Sequence, residues 1–197
     1  MSPPSWQDVV TELGGRPLHA PWLRGVKPTQ SGGFDLDAAV SELLTRLDLD
    51  DLEQVDLCGV QLGAMVALRM AAQAPAKVGR VVVVDTPVVP TATTQRVQLA
   101  LMRLMPQRAF TEAGVTKQIA IEAMKAMAGL DLSHDLGQIG APVLVVASEG
   151  DRAAMAGAQL LVQRLADART VHLPGSNPLR EQAASLAQAI ASFLDET

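Results

Sequence analysis

The sequence predicts an α/β fold in which a mostly parallel sheet of about five strands is flanked by helices within one domain, residues 1–197. Short apolar runs rich in β-branched residues alternate with longer segments whose apolar residues recur at helical spacing. Such an alternation favours parallel strands joined by right-handed crossovers, and ligands then bind at the carboxyl ends of the strands. Residues 90–135 interrupt the alternation with two helical patterns and no strand, which predicts a short helical lid inserted into the domain.

The first quarter of the chain predicts two helices and one strand. A helix is expected over residues 5–13, because Ser5 and Asp8 have the spacing of a capping box. Residues 18–20 are expected to form a short strand that ends at Pro21, and residues 26–33 form a loop rich in Gly, Pro, Ser and Thr. The second helix is indicated by apolar residues on one face, namely Leu36, Val40, Leu43, Leu44 and Leu47.

The rest of the chain predicts four further strands and two further helices outside the lid. Residues 55–58 read as a strand and residues 62–74 as a nearly all-apolar helix that ends before Pro75. The β-branched run at residues 81–84 is the strongest strand pattern, and residues 143–147 and 170–173 form the last two strands. Leu186, Ile190, Phe193 and Leu194 indicate a closing helix.

Composition and charge exclude several classes of protein. The net charge is −5 with acidic and basic residues interspersed, so a nucleic-acid partner is not expected. A single cysteine rules out an internal disulfide and a paired-cysteine metal site, and it fits a reducing, cytoplasmic location. No charged leader precedes an apolar run and no apolar run approaches membrane-spanning length, so neither secretion nor membrane insertion is expected.

The segment Gly59-Val60-Gln61-Leu62-Gly63 joins an apolar strand to an apolar helix. It resembles the nucleophile elbow of the α/β-hydrolase family, whose pattern is Gly-x-Ser-x-Gly. In that family the turn is so sharp that side chains at the glycines would clash, and the residue at the apex is strained and points into the active site. The apex position here is occupied by Gln61.

Four further segments resemble other parts of the same family, in the family's order. Residues 20–25 resemble the segment after its fourth strand, with Trp22 in place of an aspartate, and residues 81–86 resemble the strand after the elbow helix. Residues 141–146 with Asp151 resemble the strand and loop that carry the catalytic acid. Residues 173–176, followed by Glu181 and a closing helix, resemble the histidine loop, and the family's histidine falls on Ser176.

The resemblance implies an acyl-transfer site that lacks two of its three catalytic groups. Such a triad needs a nucleophile, a base that deprotonates it and an acid that orients the base. The amide of Gln61 is not a nucleophile, Ser176 cannot replace an imidazole, and only the acid position survives, as Asp151. The chain's three histidines fall elsewhere, at His19, His134 and His172. We therefore expect a pseudoenzyme without serine-hydrolase activity and assign it no catalytic residue, metal or cofactor.

The resemblance also implies a truncated N-terminus, because the chain begins at what resembles the family's first helix. The early strands and the loop that supplies an oxyanion amide are then missing. The expected strand order is 18–20, 55–58, 81–84, 143–147 and 170–173, with one sheet edge exposed. Exposed edges invite pairing, so we expect a homodimer formed through that edge or the apolar lid, or a complementing protein chain.

Candidate ligand-binding residues surround the degenerate site. They are Gln61, Leu62, Trp22, Asp85, Met102, Met105, Met124 and Ser176. The lid methionines, which include Met127, suit a pocket for an irregular apolar molecule, or they fill the contact between lid and core. Trp22 either stacks on a ligand or covers its own loop.

Asp85, Asp151 and Cys58 each allow two interpretations. Asp85 and Asp151 both follow strands, where a carboxylate pair could perform acid–base work. The alternative is that Asp151 caps or pins its loop and Asp85 is a turn residue. Cys58 is expected to be a buried, inert thiol rather than a displaced nucleophile.

Three functions fit these residues. The first is a protein that binds an apolar small molecule under the lid without hydrolysing anything. The second is a non-hydrolytic enzyme, such as a cyclase, isomerase or lyase, that uses Gln61 and Asp85 or Asp151. The third is a structural partner whose sheet edge docks onto another protein.

Overall fold

The computed structural model describes residues 6–23, 25, 33–86, 99–108, 117–118, 121, 124–125 and 132–196. Two helices precede the first strand, α1 (Gln7–Glu12) and α2 (Leu36–Leu49). The remaining elements are β1 (Val55–Val60), α3 (Leu62–Gln73), a 3-10 turn (Pro75–Lys77), β2 (Val78–Val84), α4 (Ser133–Leu136), β3 (Val143–Ser148), α5 (Arg152–Arg164), β4 (Ala168–Leu173), α6 (Pro178–Glu181) and α7 (Ala183–Leu194). The α/β class and the predicted helices at both ends of the chain are confirmed.

The four strands form one parallel sheet in the order β1-β2-β3-β4. The two central strands are the most apolar: every residue of β3 is buried, and so are the last four of β2. Strands covered on both faces need such continuous apolar runs. The predicted order of the last four strands is confirmed.

The predicted strand at residues 18–20 is wrong. These residues adopt no regular structure and all three are exposed, with Leu18 at 49%. Pro17 and Pro21 bracket the segment, and a proline has no backbone N–H with which to extend a ladder. In the described part of the chain the sheet therefore has four strands rather than five, and β1 lies at its edge.

Alternate side chains of the strands face two different layers. Val81, Val83, Val143 and Val145 pack in one core with α2, α3 and α5, whereas Val82, Val84, Leu144 and Val146 pack in a second core with α1, α6 and α7. This follows from the twofold side-chain repeat of a strand. The sheet is thus sandwiched between two helical layers, which leaves its carboxyl edge as the place where the connecting loops gather.

Helix α5 is an element that the sequence analysis did not place. Its buried face consists of Ala154, Gly157, Ala158 and Leu161, so three of the four residues that pack on the sheet are small. Small side chains carry little apolar signal, and helical spacing is therefore hard to detect there.

The insertion is described only in part. Residues 99–104 are helical, as are residues 107–108, 117–118, 121 and 124–125. The Nζ of Lys117 donates to the backbone carbonyls of Arg103 and Met105, the latter at 2.7 Å, and so caps the end of the first helical piece. The helical character predicted for the insertion is confirmed at these residues; residues 105 and 106 are described and not helical, and the other residues of the range 90–131 lie outside the described part.

Helix α4, which follows the insertion, is held to the body of the domain by an ion pair. The Nη1 of Arg69 on α3 lies 3.1 Å from Oδ1 of Asp135, whose side chain is 8% exposed. The Nε of Arg69 lies 3.6 Å from Asp37 on α2. One guanidinium therefore links three helices on the same side of the sheet.

None of the described helices is long and apolar enough to span a bilayer.

Candidate functional site

Backbone hydrogen bonds join the loops at the carboxyl edge of the sheet. The N–H of Gln61 donates to the carbonyl of Val84 at 2.9 Å, and the N–H of Asp85 donates to Val146 at 3.0 Å. The N–H of Glu149 donates to Leu173 at 2.8 Å. Each strand end is thus bonded to the next strand, so the residues that follow the four strands lie side by side along one edge.

The turn between β1 and α3 has the geometry expected of a strained elbow. Gln61 has φ 49° and ψ −109°, a combination that residues with a side chain rarely adopt. Its carbonyl accepts from the N–H groups of Ala64 and Met65 at 3.1 and 3.2 Å, which starts the helix immediately. The residue is exposed, whereas Leu62 beside it is only 4% exposed. The predicted position of Gln61 at the apex is confirmed.

Of the two glycines of this turn, only Gly59 is required by close packing. A Cβ on Gly59 would overlap the backbone of Gly63, including its carbonyl oxygen. A Cβ on Gly63 would meet no atom within 4 Å outside its own helix. Because Gly59 has no Cβ, the first turn of α3 can pack directly against the end of β1. The backbone of Gly63 is the part of α3 that comes closest to Gly59.

Asp85 ties the ends of β2 and β3 together. Its Oδ1 accepts from the N–H of Ser148 and its Oδ2 from the hydroxyl of Ser148, both at 2.8 Å. Asp85 is 6% exposed and Ser148 is fully buried. Burial raises the pKa of the Asp85 carboxyl; the hydrogen bonds from Ser148 act against this rise, and the charge of Asp151 adds to it. Asp85 also has φ 46°, so it is a turn residue as well as a cross-link.

Asp151 caps helix α5. Its Oδ1 accepts from the N–H groups of Ala153 and Ala154 at 2.8 and 3.2 Å. A carboxylate at this position satisfies amide groups that have no partner within the helix and complements the helix dipole. The capping role considered for Asp151 is therefore confirmed, and its side chain stays half-exposed.

Ser176 lies on the neighbouring loop, in contact with the loop of Asp151. The N–H of Gly150 donates to the carbonyl of Gly175 at 2.8 Å, and a Cβ on Gly150 would lie 3.5 Å from the Cβ of Ser176. The backbone N–H of Ser176 donates to Oε2 of Glu181 at 3.1 Å. The Ser176 residue is exposed. The structure thus brings together the loops of Gln61, Asp85, Asp151 and Ser176.

No side-chain hydrogen bond or ion pair among the described residues joins the other predicted ligand-binding residues to this edge. Trp22, Met102 and Met124 are half-buried, and Met105 is 44% exposed. Their contact with a ligand stays a prediction, and Met127 lies outside the described residues.

Thr86 is a further polar residue at this edge, and the sequence analysis did not single it out. It is 6% exposed, and its Oγ1 has no hydrogen-bond partner among the described residues. It directly follows Asp85 at the end of β2. A hydroxyl in a loop at a strand's carboxyl end is the signal that could have marked it.

The expectation that Cys58 is buried is wrong. Cys58 is exposed, because β1 has no strand partner on its outer side among the described residues. Protein atoms nevertheless crowd the thiol, and this desolvation raises its pKa to about 12. The residue is therefore accessible from the outer side of β1, but its thiol stays protonated at neutral pH.

The three histidines occupy other places. His172 lies within β4, His134 lies on α4, and the ring of His19 lies 3.2 Å from Arg46 on α2. No group of three or more acidic, histidine or cysteine side chains in the described part of the chain is arranged to hold a metal ion.

No protein-family model matches the sequence. Among solved structures, MGS-M2, an α/β hydrolase enzyme from a Medee basin deep-sea metagenome library, is similar with a TM-score of 0.83 and 18% identity, over 100% of this chain and 86% of its own. A thermophilic esterase from Thermogutta terrifontis matches with a TM-score of 0.78 and 20% identity, over 96% and 84% of the two chains. The enol-lactonase from Burkholderia xenovorans LB400 matches with a TM-score of 0.73 and 20% identity, over 85% and 76%. At these identities the likeness concerns the fold and not the activity.

Proposed function

We propose that this chain, which has the α/β-hydrolase fold, is a pseudoenzyme that binds an apolar small molecule at the carboxyl edge of its sheet and does not hydrolyse it. The observation that carries the proposal is the side chain at the strained apex. The turn keeps the geometry that presents a reactive group, but the group presented is the amide of Gln61. An amide donates and accepts hydrogen bonds and does not attack carbonyl carbon.

The residues around Gln61 support a binding role. Ser176 has no imidazole with which to accept a proton, and Oδ1 of Asp151 already caps a helix. Acyl transfer needs nucleophile, base and acid to act as a unit. What remains is a set of hydrogen-bonding groups beside buried Leu62, which suits recognition of a mostly apolar molecule.

The insertion supplies the apolar side of the proposed site. It leaves the sheet after β2, at the same edge as Gln61, and returns through α4. We propose that it acts as a lid and that Met102, Met105, Met124 and Trp22 line the space beneath it, since thioether side chains adapt to irregular ligands.

A second candidate is a non-hydrolytic enzyme, favoured by the raised pKa of Asp85 and the nearby charge of Asp151. Carboxyl groups with perturbed pKa values concentrate at active sites. We rank it second because both oxygens of Asp85 accept from Ser148, which gives the buried carboxyl a structural role.

The first test is hydrolysis. The wild-type protein should not accelerate the cleavage of p-nitrophenyl esters from acetate to octanoate beyond the rate in buffer. The Gln61→Ala variant is the control. Turnover by the wild type that disappears in Gln61→Ala would overturn the proposal, because it would give Gln61 a role in hydrolysis.

The second test is binding of the apolar dye Nile red, followed by its fluorescence. Ser176→Trp places a large side chain on the carboxyl edge. Ser192→Trp is the matched control, because it places the same side chain at an exposed position of α7, 16 residues further along the chain. We expect the wild type and Ser192→Trp to bind the dye and Ser176→Trp to lose at least about tenfold in affinity, or about 1.4 kcal/mol. Equal binding by both variants, or none by the wild type, contradicts the proposal.

A further inference from the structure

We infer that the molecule bound at this edge carries a neutral or cationic polar end, such as an alcohol, an amide or an amine, and not a carboxylate. The inference rests on the proposed binding function and concerns the chemistry of the ligand. Two features of the described residues carry it: the charges along the edge and the buried hydroxyl of Thr86.

Carboxylates dominate the edge. Asp85 follows β2, Glu149 and Asp151 follow β3, and Glu181 reaches back to the loop that follows β4. The ion pairs formed among the described residues involve other carboxylates, so none of these four is neutralised by a salt bridge there. Arg152 and Arg180 lie next to Asp151 and Glu181 in the chain and are exposed, as are Glu149 and Glu181, but neither arginine forms a salt bridge with these carboxylates among the described residues.

The charge of Asp151 acts across the edge. Burial is the main reason that the pKa of Asp85 is raised, and the negative charge of Asp151 raises it further. A carboxylate brought into the same place would experience the same repulsion and would also lose hydration. An alcohol or amide avoids this repulsion, and an ammonium group gains from the field.

Thr86 supplies a polar contact for such a group. Its hydroxyl is buried without a hydrogen-bond partner among the described residues, a condition that costs free energy. Thr86 lies two residues beyond Val84, whose carbonyl accepts from the N–H of Gln61. A ligand hydroxyl or amine bonded to Thr86 would satisfy that oxygen, and the exposed amide of Gln61 offers a second partner on the same edge.

The inference can be tested with three probes that share the 2-naphthylmethyl group. They are the alcohol 2-naphthylmethanol, the amine 2-naphthylmethylamine and the carboxylate 2-naphthaleneacetate, called the acetate below. Binding to the full chain is measured at neutral pH from chemical-shift changes in the spectrum of isotopically labelled protein. We expect the alcohol and the amine to shift the signals of Gln61 and Thr86, and the acetate to bind at least about tenfold more weakly.

Two charge variants separate the local field from net charge. Asp151→Asn keeps an oxygen that can cap α5 and removes the charge. Asp167→Asn makes the same change just before β4, at the amino ends of the strands and so away from the proposed site. Asp151→Asn should bring the affinity for the acetate close to that for the alcohol, and Asp167→Asn should not. In addition, Thr86→Val should weaken binding of the alcohol without lowering the urea midpoint.

The outcomes are distinguishable. If no probe binds, the proposed function fails and this inference fails with it. If all three bind equally, or the acetate binds best, the binding function stands and the inference about the polar end is overturned. Equal effects of Asp151→Asn and Asp167→Asn would also overturn it, because net charge alone would then explain the discrimination.

Discussion

At the scale of single residues, the sharpest feature is the backbone of Gln61. Its φ of 49° and ψ of −109° lie in a region of backbone conformation that only glycine adopts without strain. Strain of this kind costs of order 1–3 kcal/mol and persists where the surrounding structure enforces it. Here the enforcing contacts are the bond from its N–H to Val84 and the approach of Gly63 to Gly59.

The strain predicts an inverted response to glycine. Gln61→Gly should be more stable than Gln61→Ala by about 1 kcal/mol, because glycine relieves the strain that alanine retains. At Gln159, an exposed position in the middle of α5, the order should reverse by about the same amount, because glycine weakens the interior of a helix. Urea unfolding of the four variants measures both differences, and the same order at both positions would argue against strain at the apex.

The buried carboxyl of Asp85 predicts a pH dependence of stability. Because folding raises the pKa of this carboxyl above its ordinary value, chiefly by burial, the folded state favours the protonated form. The stability that comes from protonation is therefore complete at pH values below the unfolded pKa and is lost as the pH rises through the folded pKa. Asp85→Asn stays neutral at every pH. Its stability relative to the wild type should therefore increase as the pH rises from the unfolded pKa to the folded pKa of Asp85.

The measurement is the urea midpoint of both proteins from acid to neutral pH, with exposed Asp50→Asn as the control for net charge. A difference between Asp85→Asn and the wild type that does not change with pH would refute this account of Asp85.

At the scale of elements, α4 is joined to α3 by an ion pair in addition to its apolar packing. Arg69 on α3 and Asp135 on α4 are both largely shielded, with side-chain exposures of 22% and 8%. Removing one member of such a pair leaves the other charge without its partner in a poorly hydrated place. The pair therefore holds α4 against α3, together with the buried Leu132, Leu136 and Ile139.

Arg69→Met should cost about 3 kcal/mol of unfolding free energy, the cost typical of breaking a shielded pair. Lys77→Met, which breaks the more exposed pair between Lys77 and Asp48, should cost less than about 1 kcal/mol. The double variant Arg69→Met with Asp135→Asn should recover part of the loss. Additive losses in chemical unfolding would show that the two side chains are not coupled.

At the scale of the whole molecule, the notable feature is the outer side of β1. Within the described residues β1 pairs only with β2, and its Asp56 and Cys58 are exposed. Such an edge presents backbone groups that can pair with another strand. We propose that the chain forms a homodimer through this edge.

Sedimentation should show a dimer whose population rises with protein concentration. Cys58→Lys places a charge on the β1 edge and should shift the protein towards monomer, because edge lysines oppose strand pairing. Thr170→Lys, an exposed position on β4 at the other end of the sheet, should leave the dimer intact. A monomer at all concentrations contradicts the proposed homodimer.

The sequence by itself determined the α/β class, the order of four strands and the residue at the elbow apex. These follow from local signals: β-branched runs such as residues 81–84, helical spacing such as that of α2, and Gly59, where the close approach of the following helix leaves no room for a side chain. The short run at residues 18–20 shows the limit of local signals, because a strand exists only where a neighbour is available to pair with it. The small-faced helix α5 shows another limit, because alanine and glycine give weak periodicity.

Only the tertiary structure decided what the polar residues at the strand ends do. Asp85 and Ser148 are 63 positions apart, yet both oxygens of the carboxyl accept from Ser148, and burial raises the pKa of that carboxyl. Cys58 is exposed because its strand is the outermost one in the described sheet, and the hydroxyl of Thr86 is buried without a hydrogen-bond partner among the described residues. Burial and pairing depend on which distant segments meet, and the spacing of residues along the chain does not contain that information.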